Sequence, residues 1–162
     1  MASPASIAKH PIHPMLIVFP VGLWIFSLIS DLIYINKWGP PVWNDVAFYT
    51  MVGGIAGALL AAIPGLVDLL SLTDSRVKRI GIWHMILNLV VVALFCFNLW
   101  LRMPGTTTSI SIRPIWLSVA GVVLLAISGW LGGEMVYVHG VAVEQRPAED
   151  RAATTSPSRR VA

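Results

Sequence analysis

The chain has 162 residues, of which 56% are hydrophobic and only 12% charged, with a mean hydropathy of +0.76. Water-soluble domains carry about 25% charged residues, and disordered chains combine low hydrophobicity with high net charge, so both classes are excluded. The net charge of +3 does not indicate nucleic acid, because the basic residues flank long apolar stretches instead of clustering on one motif.

Four stretches approach or exceed the roughly 20 residues needed to cross a bilayer as a helix. They run from about His13 to Ile35, Val46 to Leu70, Ile80 to Leu101 and Pro114 to Val138. Runs of this length are too long for barrel strands, and the short connections predict an all-α, integral-membrane, up-down-up-down four-helix bundle. The expected organisation is an N-terminal segment over residues 1–12, a four-span domain over 13–143 and a disordered tail over 144–162.

In the first span, Pro14 suits a first helical turn, whereas Pro20 removes a backbone hydrogen bond within the span and predicts a kink. Gly39-Pro40-Pro41 breaks the chain before span two. Span two carries a stripe of small residues, Gly53, Gly54, Gly57, Ala58, Ala61, Ala62 and Gly65, that permits close backbone approach; Gly129 and Gly133 predict the same device in span four. Residues 72–79 read as a tight charged turn, and Met103-Pro104-Gly105 with a Thr/Ser run separates spans three and four. Cys96 lies in an apolar run, so no disulfide framework exists.

An even number of spans puts both termini on one side with the 72–79 loop. That side holds Lys9, Arg76, Lys78, Arg79, Arg146, Arg151, Arg159 and Arg160, against Lys37, Arg102 and Arg113 on the other. The bias predicts cytoplasmic termini.

In this topology all four histidines fall at the cytoplasmic end: His10 and His13 at the entry to span one, His84 in span three and His139 at the exit of span four. Asp68 and Glu134 join them. Ionisable groups are costly in hydrocarbon and usually pair, line a cavity or bind something. The candidate site is therefore His10, His13, His84 and His139 as ligands, with Asp68 and Glu134 completing or orienting them. Each residue has a structural reading beside the chemical one. His10 and His13 suit a stiff proline-fixed helix entry, with Pro14 biasing His13 away from helical backbone. His84 and Asn88 suit a satisfied i,i+4 polar pair, Asp68 an ion pair with Arg76 or Lys78, and His139 a cation at the helix C-terminus. Asp31 and Asn98 belong to the opposite leaflet and read as a separate helix-helix contact.

Facing histidines in a bundle suit axial ligation of haem b; C-x-x-C-H is absent, so covalent haem is excluded. A transition-metal ion is the alternative, and a membrane metal hydrolase a further one, although no H-E-x-x-H occurs. No nucleophile elbow or phosphate-binding loop occurs either. The remaining reading is a cofactor-free structural or accessory subunit whose polar layer fixes helices or titrates protons.

His10-Pro-Ile-His13-Pro, Pro64-Gly-Leu-Val-Asp68, His84-Met-Ile-Leu-Asn88 and Gly129-Trp-Leu-Gly-Gly-Glu-Met-Val-Tyr-Val-His139-Gly-Val resemble a bacterial family of four-helix membrane proteins of unknown function. The resemblance covers about residues 10–143. Some members continue into a Rieske-type iron-sulfur domain, which implies a redox context. Here the resemblance implies that any iron-sulfur partner is a separate protein, in a bacterial inner membrane. The histidine layer itself suggests electron transfer with a soluble partner or quinone, the apolar spans contact with lipid, and the small-residue stripes a homo-oligomer as a further option.

Overall fold

A computed structural model describes residues 3–103 and 114–143. The tail over 144–162 and the Thr/Ser run after Met103 therefore lie outside the described residues, as does Arg113. A short hairpin, β1 (Ser6–Ile7) and β2 (His10–Pro11), precedes α1 (Ile12–Leu16), α2 (Val18–Ile35), α3 (Trp43–Ser71), α4 (Ser75–Arg102) and α5 (Ile115–Tyr137). α1 and α2 together make one span, so four helical spans are long and apolar enough to cross a membrane. The all-α four-span architecture is as the hydropathy requires, and large apolar side chains such as Phe19, Leu60 and Trp130 face outward.

The kink expected from Pro20 takes a definite form. Pro20 has no N–H to give to the Leu16 carbonyl, and the helix is interrupted at Ile17, between α1 and α2. His13 lies within α1 despite Pro14, so the expected bias away from helical backbone is overridden. Its carbonyl accepts the Ile17 N–H at 3.1 Å, and the bundle holds the turn in place. The hairpin turns through Ala8 and Lys9, whose φ angles of 47° and 67° are the paired left-handed values of a two-residue hairpin turn.

The charged turn is shorter than expected, because α4 begins at Ser75 and the connection is only Leu72–Asp74. The Asp74 carboxylate accepts the N–H groups of Arg76 and Val77 at 2.8 and 3.0 Å, which starts the helix early. These two bonds hold its carboxyl below the usual carboxylate range. Arg76, Lys78 and Arg79 thus occupy the first turns of a helix.

Most of the small-residue stripe of α3 packs inside the molecule, with Gly53 against Leu23, Gly57 against Phe19 and Pro20, and Gly65 against His13, whereas Ala62 is exposed. Gly129 and Gly133 depart from expectation: a Cβ on Gly129 would meet nothing within 4 Å, and one on Gly133 only Tyr137. The close approaches of α5 are made instead at Gly121, against Phe95, and Gly132, against His84. The α5 helix closes at Gly140, whose φ of 65° suits glycine.

Three layers fill the bundle interior. In the middle, Trp24 stacks on Phe95 with centroids 4.4 Å apart, packed among Met51, Val91 and Leu125. At the end near the α2–α3 connection lies a buried charge layer. Arg102 donates to both Asp31 oxygens at 2.7 and 2.6 Å and to Asn98 Oδ1 at 2.8 Å, while Asn98 donates to Ser118 at 2.8 Å. The expected Asp31–Asn98 contact is therefore bridged by Arg102, a residue whose place at the end of a span predicts a loop cation. The opposite end carries the histidines.

Candidate functional site

His13 on α1 and His84 on α4 meet at that end, with ring centroids 6.2 Å apart and ring planes at 86°. Each ring is fixed through Nδ1 to a carbonyl on another helix. His13 Nδ1 lies 2.8 Å from the Ala61 carbonyl, one turn before Pro64 interrupts the hydrogen-bond ladder of α3. His84 Nδ1 lies 2.8 Å from the Ser128 carbonyl on α5. A carbonyl has no hydrogen to give, so Nδ1 of His13 carries the proton. At His84 the Ser128 hydroxyl also lies 3.0 Å from Nδ1, and the Asn88 amide facing Nε2 places the proton on Nδ1 there too, leaving the Nε2 lone pair in the neutral form of both rings.

Those lone pairs have few claimants. His13 Nε2 has no hydrogen-bond partner among the described residues. His84 Nε2 faces the Asn88 amide nitrogen at 3.1 Å, but that nitrogen also lies 2.8 Å from the His84 carbonyl and 2.8 Å from Ser128 Oγ. Two hydrogens cannot fully serve three acceptors, and the longest contact is the one to Nε2. Glycine makes the arrangement possible. A Cβ at Gly65 would sit 2.7 Å from His13 Nδ1, and one at Gly132 would sit 3.3 Å from His84 Cε1.

The other candidates are engaged elsewhere. His10 is exposed in β2, with Nδ1 2.8 Å from the Ala8 carbonyl of its own turn. His139 follows the end of α5 and stands 4.0 Å from Glu134, an i,i+5 pair at the rim. Asp68 does not pair with Arg76 or Lys78; its Oδ1 accepts the Ser3 hydroxyl at 2.6 Å and the Ala5 N–H at 3.3 Å, tying the N-terminal segment to α3. Among the described residues, no three His, Cys, Asp or Glu side chains form a group able to hold a metal ion. What the fold assembles from the six is an imidazole pair. Sequence reasoning missed Ser128 and Ala61 as partners; Ser128, a polar residue in an apolar span, was the available signal, whereas a backbone carbonyl leaves none.

Comparison with known proteins places the chain among predicted membrane proteins. A family model described as a predicted membrane protein (DUF2231) matches residues 9–145. No curated protein matches the chain, and no solved structure does.

Proposed function

The chain belongs to the DUF2231 family of predicted membrane proteins, and from that premise we propose that the His13–His84 pair holds a transition-metal centre, as haem b iron or a bare ion, for electron transfer. The supporting observation is the pair's poise: both rings are anchored through Nδ1–H to backbone carbonyls, which is the usual outer contact of a ligating histidine. Proximity supports it as well, since the two rings come from different spans and their centroids lie 6.2 Å apart.

If haem b is the group, His13 and His84 would be the residues that hold its iron, and the haem would supply one-electron chemistry. A hydrolytic metal site calls for three protein ligands and a water, which this pair does not supply. The electron partner in this reading is a separate iron-sulfur protein or a quinone. The basic bias of Lys9, Arg76, Lys78 and Arg79 supports placing the histidine end on the cytoplasmic side of a bacterial inner membrane.

The test is spectroscopic. Purified protein is expected to show a haem absorption band or bound metal by elemental analysis, lost in His13→Ala and His84→Ala. A folded, colourless, metal-free preparation that takes up neither haem nor metal ions overturns the reading. The Asn88 contacts favour one rival, a cofactor-free accessory subunit in which His84, Asn88 and Ser128 fix α4 to α5. That rival expects His84→Ala to lower stability with no cofactor at any stage.

A further inference from the structure

Beyond the imidazole pair, a cavity of about 260 Å³ opens where the N-terminal segment, the end of α3 and the turn after α5 come together. Its polar side chains are Ser3, Asp68 and Ser71, and its apolar wall includes Pro4, Leu72 and Val141. Because α3 ends at Ser71, the cavity lies at the end of a membrane span, at the depth of lipid headgroups.

Counting hydrogens shows what this lining recognises. The Ser3 hydroxyl spends its hydrogen on Asp68 Oδ1 at 2.6 Å, and the Ser71 hydroxyl spends its own on the Asp68 carbonyl at 2.6 Å. Both hydroxyl oxygens are left as acceptors. Asp68 receives both of its donors on Oδ1, and Oδ2 has no hydrogen-bond partner among the described residues. No cation among them pairs with this carboxylate, whereas Asp31 is held by Arg102 and Glu134 stands by His139. The polar side chains of the cavity therefore offer acceptors and a negative charge, and no donor. A quinone carbonyl or a phosphate would find no side-chain donor there.

We propose that this cavity binds a primary ammonium group, with Asp68 Oδ2 as counter-ion and the Ser3 and Ser71 oxygens as further acceptors. Three N–H donors on one cation match one carboxylate oxygen and two hydroxyl oxygens. The volume is below the range of drug-sized pockets and suits a headgroup or a small amine. The chemistry has two sources, the ethanolamine headgroup of a membrane lipid and a free amine.

The test is native mass spectrometry of the full chain in detergent with short-chain phosphatidylethanolamine, with phosphatidylcholine as the control that keeps the charge but has no N–H. Wild type is expected to retain phosphatidylethanolamine over phosphatidylcholine. Asp68→Asn, which keeps an acceptor for Ser3 and Ala5, should lower its occupancy by about tenfold, the equivalent of one charge-assisted hydrogen bond. Val141→Trp, which fills the cavity and leaves the carboxylate, should lower it too. Free ethanolamine is titrated separately: competition identifies a site open to soluble amines, and lipid binding without competition identifies a headgroup site. Equal retention of the two lipids with no ethanolamine binding, or undiminished binding by both variants, overturns the proposal.

Discussion

Replacing Arg102 with Met removes two guanidinium donors from the Asp31 carboxylate, which has 0% side-chain exposure, and strips one donor from Asn98 Oδ1. Removing one member of a buried ion pair costs about 3–5 kcal/mol, roughly two to nearly four orders of magnitude in the folding equilibrium. In a membrane the unfolded helices also find partners, which moves the expectation for Arg102→Met and for Asp31→Leu toward the lower end. The double variant behaves differently. With both charges gone, no buried charge is left behind and the Asn98 carbonyl loses a donor at roughly 1 kcal/mol, so the double variant should recover most of the loss and lie about that far below wild type. With each single variant near about 3 kcal/mol, the coupling energy of the cycle is then about 5 kcal/mol, large for a contact pair. Reversible unfolding in mixed micelles, followed by tryptophan fluorescence on all four proteins, measures it. Single variants that each cost under about 1 kcal/mol, or losses that simply add, would refute the reasoning.

Two further outcomes follow from the glycines and the cap. Gly65→Ala places a methyl 2.7 Å from His13 Nδ1 and must push the ring off the Ala61 carbonyl, whereas the methyl of Gly132→Ala needs only a few tenths of an ångström from His84. The first is expected to cost roughly 1–3 kcal/mol and the second under about 1 kcal/mol in the same assay; the reverse order would contradict the placement of His13. Asp74 supplies a pH dependence, since its folded-state pKa is lowered by the N–H groups of Val77 and Arg76. Its stabilisation is complete above the unfolded carboxyl range near pH 4 and is lost as pH falls through the lower folded value. Asp74→Ala should therefore be less stable than wild type at neutral pH, with the gap closing in acid, while Asp74→Asn keeps a cap that does not titrate. Unfolding midpoints across that pH range check this, and a gap independent of pH would count against the cap.

The spans were readable because hydropathy is additive along a chain. Twenty apolar residues must cross a bilayer whatever they touch, so the four helices followed from counting. What counting could not give was rotation about each helix axis. Gly129 and Gly133 had the spacing of a packing motif, yet the face that approaches a neighbour on α5 carries Gly121 and Gly132. Arg102 was counted as a loop cation from its position at a span end. Its side chain reaches back to a carboxylate 71 residues away, a pairing that no local pattern encodes. Asp74, too, could be seen as polar turn chemistry but not as the residue that starts α4 at Ser75.

The histidines show the same division between depth and direction. Their common end was evident from span order, since each polar residue sits at a fixed rise along its helix. Which of them face one another depends on the crossing of α1, α3 and α4, and that crossing selects His13 and His84 while leaving His10 and His139 on their own segments. The apolar layer of Trp24, Met51, Val91, Phe95 and Leu125 then separates this pair from the Asp31–Arg102 layer. Among the described residues no side-chain hydrogen bond joins the two ends through that layer, so the metal centre proposed at the imidazoles would be served from their own side of the membrane. The cavity at Asp68 opens on that same side. Gly65, which gives His13 its room, and Asp68, which holds the N-terminal segment, are three residues apart on α3, about 4.5 Å of helix rise. A ligand that shifts the end of α3 therefore acts within one turn of the His13 ring, which makes the imidazole pair the first place where occupancy of the cavity would register.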